Sequence, residues 1–185
     1  MNSTGIIILL VVAVVIIIVA LVMMATRKRR SQKLREQFGP EYDRVVDREG
    51  DARKAEQVLA FRQQHREKFK VRSLSPTDRS SFRYRWNEVQ SRFVDDPKGA
   101  VTLAESLVTD VMQARGYPIA DFDQQAADIS VDHPIVVQNY RAAHDIALRH
   151  GRGQASTEDL RNAMVHYRAL FQELLDDNQP QRKGA

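Results

Sequence analysis

The sequence predicts an all-α protein with an N-terminal transmembrane helix, a helical connector and a compact bundle of four to five helices. Three observations carry this. Gly5 to Ala25 form an unbroken apolar run. Large apolar residues recur at three- and four-residue spacing through most of the remaining chain. No alternating apolar and polar stretch is long enough to count as a strand. The organisation that follows is an anchor over residues 1–26, a basic flank and connector over 27–70, a helical bundle over 71–177 and a disordered tail over 178–185.

The apolar run comes first. Its 21 residues, at ~1.5 Å rise each, reach about 31 Å, the thickness of a bilayer's hydrocarbon core. A cleaved secretory signal would need a charged start, a shorter apolar stretch and a small-residue cleavage site. Met1-Asn2-Ser3-Thr4 carries no charged side chain, and Met23-Met24-Ala25-Thr26-Arg27 offers no Ala-x-Ala pattern. The segment is therefore read as retained. Arg27, Lys28, Arg29, Arg30, Lys33 and Arg35 follow it, with no Lys or Arg before it. Basic residues accumulate on the cytoplasmic side, so the reading is a single-pass protein of the cell (inner) membrane, N-terminus outside and C-terminal domain cytoplasmic. Anionic lipid headgroups are the expected partner of the six basic residues.

Composition agrees with that placement. The chain has no Cys, which excludes disulfides and thiolate chemistry and fits a reducing compartment. Its net charge is +4, but residues 27–36 contribute +5 (six Lys/Arg less Glu36), leaving −1 for residues 37–185. The basic balance thus reports the membrane flank, and no nucleic-acid partner is expected. Within the soluble part, residues 62–92 hold nine Lys/Arg against three acidic residues, while residues 93–185 hold nine basic against fourteen acidic. These are read as helix surfaces that partly neutralise one another, with a second contact with anionic lipid as the alternative.

In the connector, Leu34, Phe38, Tyr42 and Val45/Val46 mark a weak apolar stripe, interrupted by Gly39-Pro40 and again at Gly50-Asp51, where Asp51 suits an N-cap. Two or three helical pieces should result, standing off from the bilayer or folded back on the domain. In the bundle, Ser75-Pro76-Thr77-Asp78 opens a helix carrying Phe82, Trp86, Val89 and Phe93, which Asp95-Asp96-Pro97 ends while starting the next. Ala100, Val101, Ala104, Leu107, Val108, Val111 and Met112 form the second stripe, closed by Gly116 with Tyr117-Pro118 behind it. A short helix is expected from Asp121, with Gln124 placed for a capping box. Asp132-His133-Pro134 is read as the start of a fourth helix running to Gly151. Ser156-Thr157-Glu158-Asp159 opens the last, with Leu160, Met164, Tyr167, Phe171 and Leu174 on one face.

Several motifs resemble those of a known family: Phe38-Gly39-Pro40-Glu41-Tyr42-Asp43-Arg44, Arg115-Gly116-Tyr117-Pro118, Ser130-Val131-Asp132-His133-Pro134, Tyr140-Arg141 with His144, and Ser156 to Arg161 followed by Tyr167 to Phe171. They resemble an uncharacterised family of bacterial single-pass membrane proteins with a C-terminal helical domain, and the likeness spans nearly the whole chain, anchor included. The resemblance implies the architecture. It brings no activity, cofactor or catalytic residue.

Chemistry has one candidate locus. On a helix from Asp132, residues His133, Val137, Tyr140, His144 and Leu148 would share a face, so Asp132, His133, Tyr140 and His144 form the candidate patch. A metal site there would need further ligands such as His166, Asp128 or Asp132, and no Cys/His or His-Glu-x-x-His spacing is present. The preferred reading is a set of packing or capping histidines, with no metal or cofactor. Glycines fall in punctuating positions, not in a phosphate-binding loop, and no nucleophile elbow occurs. Phe82, Trp86 and Phe93 could stack bases beside Arg83 and Arg85, but their helical spacing fits core packing better. The sequence therefore points to a non-enzymatic, membrane-tethered interaction or scaffold protein with an unidentified protein partner. The alternative is a metal- or ligand-responsive domain, or an enzyme, built around His133, Tyr140 and His144.

Overall fold

In a computed structural model, the backbone is described for residues 3–176 and the side chains for residues 11–176; the expected tail at 178–185 lies outside the described residues. The described residues form eight helices and no strand. The first, α1 (Ser3–Phe38), is 36 residues long, about 54 Å at the α-helical rise. It is the one helix among the described residues long and apolar enough to cross a membrane, and its large apolar side chains from Val11 to Met24 are all exposed. The boundary expected after residue 26 is not a break in the helix. Apolar segment, basic flank and the first part of the connector are one rod.

The rod ends where the sequence supplies a turn residue. Gly39 adopts φ 48, and Pro40, with no N–H to lose, occupies the first turn of α2 (Pro40–Glu49). Gly50 closes α2. Asp51 then caps α3 (Ala52–Arg66), its side chain accepting from Lys54 N at 2.9 Å. The last turns of α1 fold together with α2 and α3 around Leu34, Phe38, Tyr42, Val45, Ala55 and Leu59, all buried. Val131, later in the chain, packs against the same cluster. The connector is thus folded back on the domain.

Four long helices and a short one make up the rest: α4 (Pro76–Arg92), α5 (Pro97–Ala114), α6 (Phe122–Asp132), α7 (Val137–Gly151) and α8 (Thr157–Leu175). Their starts are chemically determined. Ser75, Asp96, Asp121 and Ser156 each accept a hydrogen bond from the backbone N–H three residues on, and at Ser156 the reciprocal bond to Asp159 completes a capping box. The main core gathers the expected stripes: Trp86 and Val89 of α4, Ala100 through Met112 of α5, and Leu160 through Leu175 of α8. Helix α5 lies against both α4 and α8, and α7 against α8. Trp86 stacks on Phe171 with ring centroids 4.7 Å apart. Each such buried side chain contributes about 1.5–3 kcal/mol of transfer free energy, and this sum, more than helix propensity, holds the bundle together.

Three local expectations are corrected. Asp132-His133-Pro134 ends a helix instead of starting one: Asp132 is the last residue of α6, His133 N bonds to Ile129 O at 2.7 Å, and α7 begins only at Val137. A proline disfavours the helical region for the residue before it, and His133 has left it at φ −132, ψ 59. Gly151, expected as the left-handed C′ residue of that helix, is instead the last helical residue of α7, and the left-handed residue is Gly153 (φ 72). The capping box expected at Asp121 is half formed, because the Gln124 side chain turns instead to Asp128 Oδ1 at 2.7 Å.

Candidate functional site

Because His133 sits at the end of α6 and His144 on α7, the two histidines do not share a helix face. The four residues of the expected patch go to separate partners. Asp132 accepts from Arg66 Nε and, at 2.8 Å, from the Tyr117 hydroxyl. The His133 ring, 1% exposed, meets Glu173 of α8 through Nδ1 at 3.0 Å. Tyr140 donates to Gln125 Oε1 at 2.8 Å. His144 meets Glu105 of α5 through Nδ1 at 2.8 Å and lies flat on Phe122, with ring centroids 3.6 Å apart.

Of the four, only Tyr140 and His144 come together, through the shared Phe122 ring, whose centroid is also 4.7 Å from that of Tyr140. Burial pushes the Tyr140 and Tyr167 hydroxyls up, with the Glu105 charge adding to it, so both stay protonated at neutral pH. Burial also pushes His133 down, partly offset by its bond to Glu173. Among the described residues no group of three or more His, Cys, Asp or Glu is placed to hold a metal ion. The geometry is that of bracing: His133 ties the end of α6 to α8, His144 ties α7 to α5, and His166 ties α8 to α7 through Asn139 Oδ1 at 2.9 Å.

Several polar contacts between the connector and the domain, the Arg66–Asp132 pair among them, were not anticipated. Glu41 of α2, fully buried, accepts from Arg62 of α3 at 2.8 Å and from Arg141 of α7 at 2.6 Å, and the same Arg62 nitrogen reaches Ser130 Oγ of α6 at 3.1 Å. Nearby, His65 of α3 lies 3.6 Å from Asp128 of α6. The sequence holds no spacing signal for the pairings, since Glu41 and Arg141 are 100 residues apart. One hint was local: Glu41 stands three residues after Phe38 and four before Val45, at helical spacing with the apolar stripe.

The flank behaves as a surface. Arg27, Lys28, Arg29, Arg30 and Lys33 are exposed; Arg35 is exposed too but pairs with Asp43 at 3.3 Å and lies over the Tyr42 ring. The possible stacking platform is not one: Trp86 is buried on Phe171, and Arg85 pairs with Asp110 beside Phe82. Trp86 and Phe171 instead line an open groove of about 560 Å³ with Arg83, Asn87, Gln90 and Arg168. Compared with known proteins, the chain matches no family model, no curated sequence and no solved structure.

Proposed function

We propose that the chain is a single-pass, membrane-anchored, non-enzymatic helical interaction or scaffold protein whose C-terminal domain is held at the cytoplasmic face of the cell (inner) membrane. One observation carries this reading. Helix α1 runs without a break from its exposed apolar segment to Leu34 and Phe38, which are buried in the connector core. A flexible linker would let a tethered domain roam. Here the domain is fixed to the end of its anchor, so confinement raises its effective concentration for partners in the same membrane and presents one face to them. The basic residues 27–35 favour the cytoplasmic side and contact with anionic headgroups, each adding ~1 kcal/mol near the surface.

The chain's lack of cysteine makes the test clean. Single cysteines at the exposed positions Tyr84 and Val165, probed with a membrane-impermeant maleimide, should react in inverted membrane vesicles and stay silent in intact cells. Labelling in intact cells would overturn the orientation. Elemental analysis and mass spectrometry of the purified chain test the non-enzymatic half. A stoichiometric metal or bound small molecule would replace this reading with a ligand-responsive domain around His133, Tyr140 and His144.

A further inference from the structure

Asp128 is a poorly satisfied group of the connector–domain joint. It sits on the face of α6 that meets α3, it is 1% exposed, and its Oδ2 has no hydrogen-bond partner. Its Oδ1 accepts from Gln124 Nε2 at 2.7 Å and faces His65 Nε2 at 3.6 Å, outside hydrogen-bond range. A buried carboxylate with a single neutral donor is costly. One added proton relieves the cost, whether it makes His65 a cationic donor or neutralises the carboxyl.

His65 is placed to carry that charge. Its ring is 30% exposed, stacked on Phe61 at 6.4 Å and edge-on to Phe69 at 5.9 Å, and aromatic faces attract a cation. The other charged groups around Asp128 largely cancel. Arg66 of α3 pairs with Asp132 of α6, which also holds the Tyr117 hydroxyl, and Arg62 is turned to Glu41 and Ser130. From α1, the neighbouring polar contact is the neutral Gln37–Gln63 pair. His65 is the imidazole that faces the Asp128 carboxylate.

We propose that His65 and Asp128 form a proton-operated clasp that tightens α3, and with it the membrane-attached connector, onto α6 as pH falls. Burial already holds the Asp128 carboxyl above its usual range. The sign follows: the Asp128 carboxyl binds a proton more readily in the folded than in the unfolded chain, so the clasp is strongest on the acid side and is lost as pH rises through the folded-state value of that carboxyl. The chain would thus couple the pH at the membrane face to the fit between anchor and domain. This requires only the fold, so it stands or falls separately from the orientation proposed above.

The experiment is amide hydrogen exchange on the full chain in micelles at pH 7.5, 6.5 and 5.5, corrected for intrinsic rates and read on α3. Wild type is compared with His65→Gln. In the wild type, α3 protection should rise on acidification relative to the variant, by up to about tenfold per pH unit, the limit for uptake of one proton. Asp128→Asn should remove the same dependence, and since His65 is partly exposed, His65→Gln remains informative if Asp128→Asn does not fold. Parallel pH dependence of α3 in wild type and His65→Gln would overturn the proposal.

Discussion

Arg141 of α7 donates to a fully buried carboxylate oxygen of Glu41 in α2 at 2.6 Å, across 100 residues of chain. With Arg62 on the same oxygen at 2.8 Å, the contact ties α2 to both α3 and α7. Breaking a buried pair by removing one partner costs more than the pair itself contributes, because the remaining charges stay desolvated. Glu41→Gln should therefore lower stability by about 3–5 kcal/mol, measured by chemical denaturation of the full chain in micelles. A loss below about 1 kcal/mol would mean that the two arginines find other partners or water.

Gly116 is the second point of expected sensitivity. It ends the Arg115-Gly116 turn at φ 92, and a Cβ placed there would lie 2.6 Å from the Lys70 carbonyl oxygen. Replacement by Ala should cost about 1–3 kcal/mol from backbone strain, with the clash forcing the segment before α4 to shift. Gly151→Ala is the matched control: it is helical, with nothing within 4 Å of the new methyl, and should be neutral or slightly stabilising. Equal effects in thermal melts would refute the distinction.

The third expectation concerns pH. Burial holds His133 below its ordinary value of 6.5, so the folded chain takes up a proton there less readily than the unfolded chain. The neutral ring's contribution is present above that value and is lost as pH falls below it. Denaturation from pH 8 to pH 5 should show the wild type losing more stability than His133→Gln. Identical slopes would show that the ring is charged without penalty, as an ion pair with Glu173.

The candidate patch was only half legible. Asp132-His133-Pro134 resembles Asp95-Asp96-Pro97 in placing an acid within two residues before a proline, and the second of these does start a helix, with Asp96 as its cap. The first stops one. Proline is compatible with both sides of a helix boundary, so local chemistry left the direction open, and the shared histidine face depended on it. Tyr140 and His144 lie one turn apart on α7, so their shared face is a local relation, and the structure sets both rings against Phe122.

By itself, the sequence determined what depends on neighbours a few residues away. The apolar run set the one long exposed helix; Ser75, Asp96 and Ser156 set helix starts through bonds three residues long; and the stripes of α4, α5 and α8 became the main core because i, i+3 and i+4 positions share a face. Only the tertiary structure decided that α1 continues into the connector core, that Glu41 meets Arg62 and Arg141, and which carboxylates His65, His133 and His144 face. Those choices follow from how helices pack, and packing brings together charges whose separation along the chain leaves no periodic trace.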